Sequence, residues 1–593
     1  MNHASVESDR SSLTRRSSEP ILDPRCGDME NDRSATNQRS LLSIFGSLLA
    51  EISPAKLLFA WIFSILLPAA LLGLAPIAVT TWIGKSWTRL AEATATGVAL
   101  LVLISFSVVW LGWRPLFRVA EKNFWSLNAL AVQPGYALWR EALRHLIERS
   151  FKGRTDVELA RMRAASCAAA ALLLFAVATA VALLAWPATR WVGSVADLMA
   201  PHLLVIWPVA NAISIMSAYL AIAALVWGFA EALGDQPLDL EAFDALDSGT
   251  RIWRIAHLSD IHVVGERYGF RIESGRAGPR GNERLVRALN QLAALHAKEP
   301  LDLVLISGDM TDAGLSAEWA EFLGIVAEYP DLAKRMLILP GNHDVNVVDR
   351  ANPARLDLPF SPVKTLRKMR ALSAMAAIQG DRVQTSGFKH QALRSTLAAA
   401  LEPRRRAIKE FANSGGLRAS SQLARLWDES FPLILPPTEE DGLGVALLNS
   451  NADSNFSFTN ALGMISAEQA RRLTANLDAH PRARWIVALH HHLAEYPKPV
   501  ESFSERIGTA LINGAWFLRV LRPYAARVVV MHGHRHIDWI GTWGRLKLIS
   551  APSPVMAKPD KATHFHVHLL SAGPGDSIRL LAPRRVALDA VTR

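Results

Sequence analysis

Apolar and polar positions divide this chain into two unlike parts. Four apolar segments lie before residue 234, at about 57–83, 93–113, 164–186 and 203–230. Each is at least as long as the ~20 residues needed to cross a hydrocarbon core of ~30 Å. Trp82, Trp87, Trp110, Trp113, Trp186 and Trp191 fall near their ends, where indole rings favour a membrane interface. Pro68, Pro76 and Pro208 are compatible with membrane helices when neighbours satisfy the freed carbonyls. The pattern predicts an all-α transmembrane domain over 51–233. Residues 1–50 are polar, with no apolar periodicity over their first forty positions, and are expected to be a disordered tail. They lack the early apolar stretch of a secretory signal peptide.

From 251 onward the pattern changes. IWRIAHLSD, LDLVLISGD and RMLILPGN are β-branched, strand-like runs separated by RLVRALNQLAALHA and AEWAEFLGIVAEY, whose apolar residues recur at helical spacing. This β-α-β-α-β succession predicts helices layered on a sheet. Later strands are GVALLNS, RWIVALH, ARVVVMHG, LKLISAPS and THFHVHLL. Several have little helix between them, so two sheets packed face to face are expected. The reading places an acidic linker at 234–250, a soluble domain at 251–570 with a mostly helical insertion at about 350–440, and an extension at 571–593. The insertion could be a cap over the site, a scaffold against the membrane or a dimer contact.

Charge orients the first part. The stretch 114–163 carries ten Lys and Arg, against Lys85 and Arg89 in one turn and Arg190 in the other. The positive-inside rule puts 114–163 in the cytoplasm, and four spans put both chain ends there too. The expected setting is a bacterial-type inner membrane with a cytoplasmic catalytic domain. Leu138, Leu143, Leu146 and Ile147 lie at helical spacing within the basic stretch, which reads either as an interfacial amphipathic helix or as a solvated hairpin. The formal net charge is +10, but no nucleic-acid-binding signature accompanies it, so the expected partner is the lipid bilayer and not nucleic acid. The two cysteines, Cys26 and Cys167, do not suggest a disulfide framework.

The candidate chemistry lies in five segments: HLSDIH (257–262), SGDMTD (307–312), PGNHD (340–344), ALHHH (488–492) and HGHRH (532–536). Each follows a strand-like run, at the strand ends where ligands bind in layered α/β folds. Asp260 and His262 are two apart and would share a side of an extended strand. Asp309 closes a buried strand, where an unpaired carboxylate is unfavourable and a shared cation resolves it. Asn342 offers a neutral oxygen, and His490, His534 and His536 offer imidazoles. With no thiolate nearby, the set suits Mn, Fe, Zn or Ni.

The pattern D-x-H, G-D-x-x-D, G-N-H-D, H and G-H-x-H resembles the calcineurin-like metallophosphoesterase superfamily. LVLISGDMTDAG followed by LILPGNHD looks like its bacterial cyclic-nucleotide phosphodiesterase branch. The resemblance covers about 252–570. It implies a four-layer α+β metallophosphoesterase fold, a β-sandwich flanked by helices, and two divalent metal ions. Asp260, His262, Asp309 and His536 would hold the first ion. Asp309, Asn342, His490 and His534 would hold the second. His343 would act near the leaving group, with Asp344 fixing its orientation. The implied substrate is a phosphate ester.

His490 and His491 compete for one ligand position, and the family's habit of using the first histidine after the strand favours His490. HHHLAEYPKP departs from the His-Pro often found there. His257 and His532 read as packed residues, and Asp312 as a support for the turn or for a ligand. His564, His566 and His568 share one face of a strand, read as the polar face of a terminal strand or as a metal ladder. Arg276 and Arg280, in a loop with Arg267 and Arg271, are candidates for contacting phosphate oxygens. The functions in view are a membrane-anchored metal-dependent phosphoesterase acting on phosphomonoester or phosphodiester bonds, with cyclic nucleotides as candidate substrates, a hydrolase of lipid-linked phosphate or pyrophosphate, and a non-catalytic membrane signalling or scaffold protein.

Overall fold

The computed structural model describes residues 19–30, 66–91, 132–150, 156–194, 203–247, 250–265, 280–348, 361–385, 395–454, 457–497, 511–555 and 562–588 for the most part, with a few isolated positions besides. The chain forms two compact units, one of 53–236 and one that joins 1–52 to 237–593.

The first unit contains four described helices: α1 (Leu67–Ala91), α2 (Gln133–Ser150), α3 (Asp156–Ala185) and α4 (Leu203–Ala232). Among the described residues, three stretches, Leu67–Lys85, Glu158–Ala188 and Val205–Ala232, are long and apolar enough to cross a membrane. The expected span at 93–113 lies largely outside the described residues. Small residues let α3 and α4 approach closely: Ala170, Ala171 and Ala224 are fully buried, and a Cβ on Gly228 would stand 2.3 Å from that of Ala171. Asn211, the polar residue inside the last apolar segment, donates to the carbonyls of Gly73 and Arg190. In the basic stretch, Arg140 and Arg144 are not solvated. Both are buried, Arg140 pairing with Glu141 and Glu231 and Arg144 with Glu141, while Leu138 and Leu146 are exposed.

The second unit has thirteen described strands. They are β1 (Pro237–Asp239), β2 (Ile252–Leu258), β3 (Leu303–Ile306), β4 (Met336–Ile338), β5 (Gln384–Thr385), β6 (Leu433–Leu435), β7 (Leu443–Leu447), β8 (Arg484–Ala488), β9 (Val528–His532), β10 (Trp539–Trp543), β11 (Leu546–Ser550), β12 (Thr563–Ala572) and β13 (Ile578–Leu588). One sheet runs β1-β10-β11-β9-β8-β7-β6-β5, the other β13-β12-β2-β3-β4. All eight strands expected from the sequence are present. Alternation along β7, β8 and β9 divides the core. Val445, Leu447, Ile486, Ala488, Val529 and Met531 join a cluster with the smaller sheet, while Ala446, Trp485, Val487, Val528 and Val530 pack with Leu473, Leu477, Phe517 and Leu521 on the opposite face. Helices α5 (Arg280–Lys298), α6 (Ser316–Ala327) and α7 (Pro362–Gln379) join the first cluster through Leu289, Phe322 and Met369, among others. The fold is therefore two sheets with helices, as expected.

Three expected boundaries move. The linker at 234–250 supplies β1, paired antiparallel to β10. The extension at 571–593 supplies all of β13, an edge strand paired along β12. Pro583 and the charges in IRLLAPRRVAL hide that strand from a hydropathy reading, and an edge is where proline and charge are tolerated. Residues 19–30, expected within a disordered tail, are packed against the second unit's core, with Ile21 and Met29 buried. The insertion at 350–440 is mostly helical where described, and contributes β5 and β6 to the larger sheet.

Candidate metal centre

Strands β2, β3 and β4 are parallel neighbours in one sheet, and β8 and β9 are parallel neighbours in the other. All five end towards one cluster of side chains. Asp260 and His262 follow β2, Asp309 follows β3, Asn342 follows β4, His490 follows β8, and His534 and His536 follow β9.

The backbone makes this convergence possible in a way that strand alternation does not. Asp260, His262, Asp309, His534 and His536 all have positive φ, between 48° and 77°. Asp260 and His262 therefore reach the cluster from left-handed turns beyond the end of β2, not from an extended strand. Asp and His tolerate this region better than bulky residues, but five such residues in one centre mark stored strain. Gly308 (φ +106°) lets the β3 loop pass beside His490, since a Cβ there would stand 2.3 Å from the His490 Nδ1. A Cβ on Gly533 would stand 1.8 Å from Ser259 Oγ and 2.6 Å from Asp260 Oδ2.

Among the described residues, His262, Asp309 and His343 form one group that could hold an ion, and two further groups flank it. Asp260, His262 and His536 form the first flanking group, with His536 Nε2 at 3.3 Å from Asp260 Oδ1. Asp309, His490 and His534 form the second. His490 Nε2 stands 3.1 Å from each of Asp309 Oδ2, Asn342 Oδ1 and His534 Nδ1. The same Asp309 Oδ2 lies 3.8 Å from His262 Nε2, so this oxygen faces both flanking groups. All of these residues are buried except His536, whose side chain is 32% exposed.

These residues fit a bound cation. Asp260 Oδ1 and His262 Nε2 are buried without a hydrogen bond, which is unfavourable unless an ion satisfies them. The His490 Nδ1–H donates to the Ser307 carbonyl at 2.8 Å, leaving Nε2 to face a ring of acceptors. Burial pushes His490 towards the neutral form, but the Asp309 charge prevails and lifts its pKa to about 9. The extra proton then stands where a metal ion would. Burial likewise raises Asp309, yet His490, His343 and His262 together hold its carboxyl below the usual range. Asp312 Oδ1 lies 3.5 Å from His262 Nδ1, the supporting position expected of it.

The ambiguous histidines separate. His490 is in the cluster, whereas His491 Nδ1 bonds to Ser450 Oγ at 2.8 Å. Ser450 Oγ also accepts the backbone N–H of both His490 and His491, a brace with no signature in the sequence. His343 is half-buried, and its N–H donates to Asp309 Oδ1 at 2.8 Å. The orienting partner is not the one expected. His343 Nδ1 bonds to the Asp312 carbonyl at 2.6 Å, while the Asp344 carboxylate accepts from Gly341 N, Met310 N and both Thr311 donors. Asp344 holds the turn and does not touch the His343 ring, because turn N–H groups surround it. Burial and the neighbouring Asp309 charge raise its pKa to about 6.

His257 and His532 are packed inside, as expected. His566 and His568 do not line a solvated face, since both side chains are buried. Asp538 accepts from His564 Nε2 at 2.7 Å and His566 Nε2 at 3.1 Å, and Arg585 donates to His564 Nδ1 at 3.2 Å. The atoms facing this group thus already have partners. Arg267, Arg271 and Arg276 lie outside the described residues, as does the side chain of Arg280.

Residues 254–538 match the family model for calcineurin-like phosphoesterases. No curated protein matches the chain significantly. Among solved structures, a Staphylococcus aureus protein described as a candidate 5′-nucleotidase is 13% identical, with a TM-score of 0.30, and the match covers 58% of this chain and 55% of that one. A dimetal phosphatase from Danio rerio is 12% identical with a TM-score of 0.32, covering 57% of this chain and 99% of that one. The Haemophilus influenzae NAD nucleotidase is 11% identical with a TM-score of 0.28, covering 57% and 56%. The chain thus spans little more than half the length of the first and third. Residues 254–538 thus resemble a calcineurin-like phosphoesterase domain, and together with the His/Asp clusters this supports a metal-dependent phosphoester hydrolase.

Proposed function

We propose that this protein is a membrane-anchored phosphoesterase that holds two divalent ions and cleaves phosphomonoester or phosphodiester bonds, with cyclic nucleotides among its substrates. The observation that carries the reading is the Asp309 carboxylate, one oxygen of which faces both flanking donor groups. In this reading Asp260, His262, Asp309 and His536 hold one ion, and Asp309, Asn342, His490 and His534 hold the other. When bound, such ions lower the pKa of water and neutralise phosphoryl oxygens. The nitrogen and oxygen donors suit Mn, Fe, Zn or Ni.

The chain's own residues supply the remaining work. With Nδ1 engaged by the Asp312 carbonyl, His343 keeps Nε2 for proton transfer to the departing oxygen. Its backbone N–H on Asp309 Oδ1 ties the acid to the shared carboxylate. Asp344 and Thr311 keep the two turns together. The three apolar helices and the basic stretch at 114–163 support a cytoplasmic catalytic domain at an inner membrane. The same helices favour a second reading, a hydrolase of lipid-linked phosphate or pyrophosphate at the membrane surface.

The test is a substrate panel on the full chain in detergent with Mn²⁺: a bis-aryl phosphate, cyclic nucleotides and a lipid phosphate in mixed micelles. Cleavage of the first two is expected, and cleavage of the lipid alone selects the second reading. His343→Ala is expected to retain its metal and lose about 10²–10⁴-fold in turnover, while Asp309→Ala loses metal as well. Wild-type rates and metal content in both variants would sink the assignment.

A further inference from the structure

The N-terminal segment 19–30 has no part in the roles assigned so far, yet it is firmly held. The Leu22 N–H donates to Ser373 Oγ at 2.8 Å, and the Met29 N–H to the Ala412 carbonyl at 2.8 Å. Asp28, 4% exposed, takes the Arg370 guanidinium of α7 in a two-pronged pair at 2.7 and 2.5 Å, and Glu30 meets Arg370 Nη1 at 2.7 Å. Such forked pairs fix geometry as well as charge. Arg370 is also buried, and it reaches onward, with Nη1 donating to the Gly314 carbonyl at 3.0 Å. Ser316 Oγ donates to Asp28 Oδ2 at 3.4 Å.

Gly314 connects these contacts to the catalytic turn. Its φ is +69°, and a Cβ there would stand 2.6 Å from the Asp344 carbonyl oxygen and 3.3 Å from that of His343. Three residues earlier, Thr311 bonds to the Asp344 carboxylate, and the Asp312 carbonyl takes the His343 ring. The 311–316 turn is therefore clamped between the N-terminal segment on one side and the His343–Asp344 turn on the other. Removing the Asp28 charge would leave a buried guanidinium undercompensated at this clamp, favouring water entry and a shift of the turn.

We propose that residues 19–30 are a positioning strap for His343, with Asp28 and Arg370 holding the 311–316 turn so that the Asp312 carbonyl keeps the imidazole set for the leaving group. The proposal rests on His343 being the proton donor. Asp28 and Arg370 are positioning residues, since neither touches the donor cluster. In sequence the strap precedes the helical unit, so the stretch of chain that leads into the apolar helices also sets the catalytic acid.

The experiment compares two aryl phosphate esters, p-nitrophenyl and phenyl, on the full chain in detergent with Mn²⁺. A poorer leaving group depends more on the proton donor. Asp28→Asn is expected to lower kcat on the phenyl ester at least tenfold and on the p-nitrophenyl ester less than threefold, with KM and bound metal unchanged. Asp28→Glu should restore much of the loss. His343→Ala should show the same leaving-group pattern, more steeply. Equal effects of Asp28→Asn on both esters, or none, overturn the strap. Should Asp28→Asn fail to fold or lose metal, Arg370→Lys, which keeps the charge but loses the fork, gives the second reading on the same two esters. An even response there, or failure of that variant too, makes the strap purely structural. A flat His343→Ala response removes the acid assignment and the strap together, whereas a steep one beside a flat Asp28→Asn removes the strap alone.

Discussion

Gly308 shows how much the centre depends on single residues with little chemistry of their own. Its positive φ and its distance to His490 exclude a side chain. Gly308→Ala is expected to push His490 aside and weaken metal affinity about 10–100-fold, the usual effect of disturbing a ligand's support. Metal content after dialysis, alongside circular dichroism to confirm the fold, measures this. Lys364 of α7 gives a different residue-scale prediction. Burial pulls its pKa down to about 8, although it donates to the Ser454 carbonyl and lies near Asp453. The folded state thus releases its proton at lower pH than the unfolded chain, whose lysine stays charged to about 10.4. The burial penalty is present in full below about pH 8 and is relieved as pH rises towards 10.4. Stability should therefore increase across that window, by on the order of 3 kcal/mol from this group. Lys364→Met should remove the increment, as read from denaturation at pH 7.5 and pH 10.

At the scale of elements, runs of Val, Ile and Leu made the central strands legible, because strands covered on both faces carry continuous apolar sequence. Edge strands carry no such signal. β1 is three residues of PLD, and β13 contains a proline and several arginines. What secures β1 is pairing with β10 and a bond from Trp539 Nε1 to Asp239 Oδ1 at 2.8 Å. Asp239→Ala is expected to destabilise the second unit by about 0.5–1.5 kcal/mol, the usual net worth of a hydrogen bond, because the exposed carboxylate also bonds water. A denaturant melt of the full chain in detergent, followed by indole fluorescence, tests it; no change would show that backbone pairing alone holds the edge. A fragment starting at Arg251 would lack this strand and the N-terminal strap, so the catalytic unit is not continuous in sequence.

For the whole molecule, three apolar helices and the distribution of basic residues lead to a topology prediction. A reporter fused after Arg593 should be active only if its activity requires the cytoplasm; a periplasmic signal would reverse the orientation and change the accessible substrates. The catalytic unit is made of 1–52 and 237–593, so the helical unit is an insertion within it along the chain.

The sequence alone determined the division into an apolar and a soluble part, the principal strands, and the ligand types at their ends. Periodicity and residue chemistry are local properties, and they survive without coordinates. The tertiary structure decided what depends on contacts between distant residues. It brought His490 rather than His491 to Asp309, gave the His343 ring to the Asp312 carbonyl in place of Asp344, and set five donor residues in left-handed turns. It also docked Asp28 onto Arg370, a pair separated by 342 positions that no sequence period could connect. Such pairings are chosen by burial, since a charge removed from water must find its partner wherever the fold places one.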